Sequence, residues 1–221
     1  MNVTWPAPRT LIAAAVGVVL LAAAAFGGWY WYDVQQRRVG AAYAEVMTRA
    51  YAAQTPQVTG DARARVAHDL EELIARHPSG RSAAEAAYEL GNLRYAAQQY
   101  PGARSAYELT IARGASPTVR TLARVSVGYT WEAERNFQKA VDAYQTVARD
   151  LGPKDFLYEQ TLLDLARAQE LAGRATDAIE TYQRLLKDVP AARRADEVRA
   201  RLVALGAPAP AAPAATSPTG K

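Results

Sequence analysis

The chain has 221 residues, half of them hydrophobic, and carries 26 Lys and Arg against 22 Asp and Glu, a net charge of +4. It has no cysteine, which excludes a disulfide framework, a thiolate metal site and a catalytic thiol. The basic residues are 22 Arg and 4 Lys interleaved with acids, as in "DARARVAHDLEELIAR", so they read as solvated helix faces and no nucleic-acid partner is expected.

After a short N-terminal tail, 1–9, the 23 residues from Thr10 to Tyr32 carry no charge. A membrane-spanning helix needs about 20. The run ends on Trp29, Tyr30, Trp31 and Tyr32, whose rings are apolar at one end and hydrogen-bonding at the other, as suits a membrane interface. The expectation is a single uncleaved anchor over 10–32. The other reading is a cleaved secretory signal, with Arg9 as its basic end, Leu11–Leu21 as its apolar stretch and Ala22–Ala25 as its cleavage site. Such a signal has no use for the aromatic belt that follows.

From Asp33 to Leu205 helix-forming residues dominate and no alternating strand pattern persists. Turn signals at "TPQVTGD", "HPSGRS", "QQYPGA", "RGASPT", "LGPKD", "LAGRAT" and "DVPAA" cut this region into helices of about 13 to 20 residues. Over 33–80 we expect a linking helix and a degenerate first repeat, its opening helix Arg37–Ala53 and its second the helix of "VAHDLEELIARHP". Ser82 and Glu85 read as a capping box, and Ser116 before Pro117 as a helix start. A closing helix is expected over Arg193–Leu205, followed by a disordered Pro/Ala-rich tail, 206–221.

A repeat emerges over 81–205. Small residues recur at Gly91, Gly128 and Ala166, alanines at Ala103, Ala140 and Ala178, and tyrosines at Tyr107, Tyr144 and Tyr182. The interval is 37 and then 38 residues in all three series. Tyr100 and Phe137 precede the second helices, where the third unit has Ala175. This pattern resembles the tetratricopeptide repeat, a helix-turn-helix unit of about 34 residues. The first helices lack its early tryptophan, and the period is longer. The expected fold class is all-α: one N-terminal transmembrane helix, then a tetratricopeptide-like helical-hairpin solenoid, in which a stack buries what one hairpin leaves open.

The order of apolar span, "GWYWYDVQQ" and repeats is similar to the ancillary subunit family of the bacterial SecYEG translocon. "HPSGRSAAEAAYELGNLRY" also looks like the periplasmic Tol-Pal coordinator and the outer-membrane assembly lipoprotein, although the latter's lipidated cysteine is absent. The resemblance implies a single-pass inner-membrane protein with periplasmic repeats, partnered by the translocon and envelope chaperones. The positive-inside count, Arg9 against Arg37, Arg38 and Arg49, points the other way, toward a cytoplasmic repeat domain.

Two histidines, His68 and His77, sit nine residues apart on opposite helix faces and so do not form an i, i+4 metal pair. No nucleotide, hydrolase or zinc-peptidase motif occurs. Neither catalytic residues nor a cofactor are expected. In tetratricopeptide arrays the first helix of each pair lines a groove. Here that face would carry Tyr88, Asn92 and Tyr95, then Val125, Tyr129 and Glu132, then Leu163, Arg167 and Glu170. Tyr and Arg favour protein partners, being enriched at binding hot spots. The function expected is a membrane-tethered scaffold or chaperone-like adaptor in secretion or envelope assembly. The alternative is a structural subunit whose repeats pack permanently on a partner, helped by small-residue spacings at Ala13/Gly17 and Ala24/Gly28 in the span.

Overall fold

The structure, a computed structural model, describes residues 8–55 and 57–208, with side chains from residue 17 onward. The described residues form nine α-helices and no strand. The chain divides into two compact units, 1–45 and 46–221. The expected tail 1–9 lies outside the described residues up to residue 7, and the expected tail 206–221 lies outside them from residue 209.

The first unit holds most of α1 (Pro8–Ala53). Val18, Val19, Leu20, Leu21, Phe26 and the four aromatics Trp29–Tyr32 are all exposed on it. The rings of Phe26 and Trp29 meet at 5.7 Å, and Arg37 pairs with Asp33 at 2.8 Å one turn away. Among the described residues no helix is long and apolar enough to cross a membrane. The side chains of the first third of the expected span 10–32, Ala13 included, fall outside the described set. What remains, 17–32, is sixteen uncharged residues, short of the roughly 20 a span needs.

The second unit stacks the end of α1 with α2 (Gly60–Arg76), α3 (Arg81–Ala96), α4 (Tyr100–Ala112), α5 (Pro117–Ala133), α6 (Phe137–Asp150), α7 (Tyr158–Leu171), α8 (Ala175–Asp188) and α9 (Ala195–Ala204). Consecutive helices from α2 onward pack against each other. The hairpins α3/α4, α5/α6 and α7/α8 are the three repeats read from the spacing. The expected linking helix, Arg37–Ala53, is the last part of α1, and the closing helix is two residues shorter at its start than expected.

Local chemistry explains the boundaries. Thr59, Ser116 and Asn136 cap α2, α5 and α6, each accepting from a backbone N–H three residues on. The expected capping box at Ser82 and Glu85 does not form. Gly80 turns the chain at φ 98° and supplies the carbonyl that accepts from Ala84 N–H, so Ser82 already lies inside α3. Each hairpin closes with the same device. The N–H of Gln99, Asn136 and Arg174 returns to the carbonyl five residues earlier, 2.8 to 2.9 Å away. The residue before it, Gln98, Arg135 or Gly173, adopts φ of 59°, 59° and 74°. This is the Schellman closure, in which a left-handed residue satisfies the last helix carbonyls.

The core follows the repeat. Tyr107, Tyr144 and Tyr182 are buried, as are Ala103, Ala140 and Ala178. A Cβ placed on Gly91 would lie 2.6 Å from Tyr107 Cδ1, and one on Gly128 would lie 2.6 Å from Tyr144 Cδ1. The small residues therefore make room for the tyrosine of their own hairpin. Leu162, Leu165, Leu185 and Leu202 join Tyr144 in the larger core cluster, each burial contributing about 1.5–3 kcal/mol.

Candidate functional site

The expected groove residues lie on α3, α5 and α7, and hydrogen bonds between successive first helices show that their polar members share one face. Tyr129 Oη on α5 donates to Asp164 Oδ2 on α7 at 2.7 Å. Arg167 on α7 donates through Nε and Nη2 to both oxygens of Glu132 on α5, at 3.0 and 2.9 Å. Gln54, just after α1, donates to Glu89 on α3. All three links span 35 residues, two or three short of the 37- and 38-residue repeat interval.

Within each hairpin the buried tyrosine reaches the same face. Tyr107 Oη donates to Asn92 Oδ1 at 3.0 Å, Tyr144 Oη to Glu132 Oε2 at 2.7 Å, and Tyr182 Oη to Glu170 Oε1 at 2.6 Å. Burial pushes all three phenols up, and the carboxylates of Glu132 and Glu170 add to this for Tyr144 and Tyr182. Arg167 is held still more firmly in its charged form, first by its hydrogen bonds to Glu132.

Two expected groove members are placed elsewhere. Val125 and Leu163 are 3% and 6% exposed, both within the core cluster. Their positions on α5 and α7 turn toward the second helices, where an aliphatic side chain gains more by burial than in a wet groove. Tyr88 packs its ring 5.7 Å from that of Tyr107, Tyr129 meets Tyr144 edge-on at 5.8 Å, and Tyr95 meets Tyr100 at 5.5 Å. Tyr95, at 37% exposure, is the most open tyrosine of the set. The structure thus joins Glu132 and Arg167 directly and Tyr129 to Arg167 through Asp164, and gives Tyr88, Asn92 and Glu170 mainly partners in their own hairpin.

The expected set omitted Asp164, which is fully buried between Tyr129, Gln160 and Arg167. Arg167 Nη2 lies 2.9 Å from Asp164 Oδ1 yet is not aligned to donate a hydrogen bond to it. That oxygen and Thr161 Oγ1 have no hydrogen-bond partner among the described residues. Asp164 and Glu89 occupy the register that Ser126 holds in the middle repeat, a spacing of 37 and 38 that could have flagged them. On the second-helix side, Trp131 is held between Arg104, 3.5 Å from its ring centre, and Lys139, 4.3 Å away.

Beside Arg167 a cavity of about 30 Å³ lies between α7, α8 and α9, lined by Leu163, Tyr182, Arg194 and Arg201 among others. That holds a water or two and is far below the several hundred Å³ of a small-molecule site. Among the described residues no three His, Asp or Glu gather as metal ligands. His68 is exposed on α2, and His77 caps its C-terminus, its N–H bonded to Leu73 O. What the face offers is a row of fixed aromatic, acidic and guanidinium groups.

Residues 160–192, which cover the third hairpin, match the tetratricopeptide repeat family. Similar solved structures are those of a putative kinesin light chain of Podosopora anserina with nearly identical TPR-like repeats, and of a point variant of the same protein. Each has a TM-score of 0.57 and 17% identity, covering 76% of this chain and 87% of that chain. At that identity the likeness shows the fold alone: an all-helical, tetratricopeptide-like solenoid. No curated protein matches the sequence. Tetratricopeptide repeats in general mediate protein–protein interaction.

Proposed function

We propose that this chain is a membrane-anchored, non-enzymatic scaffold or chaperone-like adaptor that binds protein partners through the repeat groove, in secretion or assembly of a bacterial envelope. One observation carries the binding reading. The first helices bring Tyr129, Glu132 and Arg167 together and keep Tyr95 and Arg167 accessible on the same side. Rigid aromatic and guanidinium groups supply contact area and directional hydrogen bonds at little entropic cost.

The anchor reading is supported by the 23 uncharged residues of 10–32 and by the exposure of every large apolar side chain from Val18 to Tyr32. Such a face in water is unfavourable over this length, and lipid removes the penalty. The resemblance of the anchor and its aromatic boundary to the translocon's ancillary subunit supports a periplasmic repeat domain and partners at the translocon.

The test is photocrosslinking in cells. A photoreactive residue at Tyr95 or Glu170 is expected to capture translocon or envelope-chaperone proteins, and the same residue at Glu108 or Arg149 on the second helices is expected to capture none. Equal capture from both sides would overturn the groove. A reporter fused after Leu205, active only outside the cytoplasm, tests orientation, and its silence would overturn the periplasmic placement.

A further inference from the structure

Glu89 is 7% exposed, yet no cation among the described residues meets it. Its Oε2 accepts from Gln54 Nε2 and, at 3.1 Å, from Asn92 Nδ2, both neutral amides. Its Oε1 accepts from no described residue and is not among the fully enclosed oxygens, so it stays within reach of solvent. The contrast lies two repeats on: Asp164, at the equivalent place, has Arg167 2.9 Å from its free oxygen. A buried carboxylate is strongly disfavoured unless a cation accompanies it. Burial accordingly pushes the Glu89 carboxyl above its usual range.

The surroundings add to the deficit. Glu85 lies one turn earlier on α3, half-buried and without an ion pair among the described residues. Tyr51, near the end of α1, is 56% exposed and lies one turn before Gln54, whose side chain bonds Glu89 and whose N–H donates to Tyr51 O; burial first, then the charges of Glu89 and Glu85, push its phenol up. In a chain of net charge +4, these acids and this ring form a corner with no basic residue paired to it among the described residues.

We propose that this corner of the groove takes the side-chain cation of a lysine or arginine from the bound protein partner, an inference that rests on the groove reading above. The ammonium or guanidinium completes Glu89 through Oε1 and is shared with Glu85. Its aliphatic stem lies along the Tyr51 ring, where the face of an aromatic attracts an organic cation. A divalent metal fits worse. Calcium takes six to eight oxygen ligands, and here Oε2 of Glu89 is already held by two amides. The position fits the stack: Gln54 reaches Glu89 across 35 residues, the same step by which Tyr129 reaches Asp164.

The experiment uses the full chain in detergent micelles against an immobilised library of random dodecapeptides. Selected peptides are expected to carry Lys or Arg at one fixed position, and acetylation of that lysine should weaken binding about tenfold. In E89Q, E85Q and Y51L the intact peptide should bind about tenfold more weakly, and acetylation should then cost little more. E85Q and Y51L alter accessible side chains, so they carry the test even where E89Q folds poorly. Selected peptides with no basic preference, or an acetylation penalty as large in the variants as in the wild type, would overturn the cation corner and leave the groove standing. Failure to select any peptide would overturn the groove reading and the corner with it.

Discussion

The ring of Tyr144 occupies the space that a side chain on Gly128 would need: a Cβ there would stand 2.6 Å from both Cδ1 and Cζ of the tyrosine. Tyr144 cannot retreat, because its Oη is bonded to Glu132 at 2.7 Å and its ring is fully buried. Gly128→Ala is therefore expected to destabilise the repeat domain by about 1–3 kcal/mol through overpacking, despite the better helix propensity of alanine. In the third hairpin the same register holds Ala166, fully buried in one core cluster with Tyr182, so Ala166→Gly should also destabilise, by about 1 kcal/mol, here through lost propensity. Urea denaturation of both variants checks the pair; a stabilised Gly128→Ala would mean that the tyrosine has room to shift.

Gln98 and Arg135 hold the left-handed position that Gly173 holds in the third hairpin. A left-handed conformation costs a non-glycine residue about 1–2 kcal/mol, partly offset by the greater chain entropy a glycine loses on folding. Gln98→Gly and Arg135→Gly should each stabilise by about 0.5–1 kcal/mol, and Gly173→Ala should destabilise. Thermal melts of the three variants suffice, and a lower Tm for both glycine variants would argue against the strain.

Arg167→Ala removes the cation beside Asp164 and Glu132. Breaking a buried pair costs about 3–5 kcal/mol, but the Arg167 side chain keeps 44% of its surface exposed, so about 2 kcal/mol is expected. Asp164→Asn in the same chain should recover more than half of that, because the uncompensated charge goes with it. Absence of recovery in a double-mutant cycle would show that the loss is one of packing. Alanine at this position is for the same reason a poor probe of binding.

Burial holds the phenols of Tyr107, Tyr129, Tyr144 and Tyr182 well above the ordinary value near 10. In the unfolded chain they release protons above about pH 10 while the folded chain keeps them, so the unfolded state binds fewer protons and stability falls as pH rises. The stabilisation is complete below pH 10 and is lost above it, at about 1.4 kcal/mol per pH unit for each such tyrosine. The share of the phenolate absorbance that belongs to these four of the twelve tyrosines should rise only in the step that coincides with loss of helix by circular dichroism. Ionisation of all twelve with the helices intact would contradict the burial.

Glu89 runs in the opposite sense to an ordinary paired acid. Its folded carboxyl is raised, so protonation stabilises the fold at low pH, and that stabilisation is lost as pH rises through the folded value. In the absence of a partner E89Q should melt higher than the wild type near pH 7.5, with the gap closing toward about pH 4 as the glutamate itself becomes neutral. Equal Tm values across that range would show that solvent already compensates the charge.

Much of the repeat domain was legible in the chain itself, and the reason is distance. The spacing of Gly91, Gly128 and Ala166 against Tyr107, Tyr144 and Tyr182 records contacts made inside one hairpin, 16 residues apart. Ser116 before Pro117 announced a helix start that the backbone obeys. The capping box at Ser82 failed because a glycine at positive φ began the helix first. The left-handed Gln98 and Arg135 carry no residue-level signal, since only the Schellman closure forces them there.

The sequence alone determined that this is a stack of helical hairpins, because helix periodicity and packing within a hairpin are local and repeat in the chain. Only the tertiary structure decided which polar residues form the face between hairpins. Tyr129 with Asp164, Glu132 with Arg167 and Gln54 with Glu89 are each joined across 35 residues; the repeat spacing marks the register of Asp164 and Glu89 but does not tell a bonded acid from a solvated one. The same stacking drew Val125 and Leu163 into the core and left Glu89 buried without a cation among the described residues. Burial and charge compensation are properties of neighbours, and the neighbours exist only once the hairpins have packed.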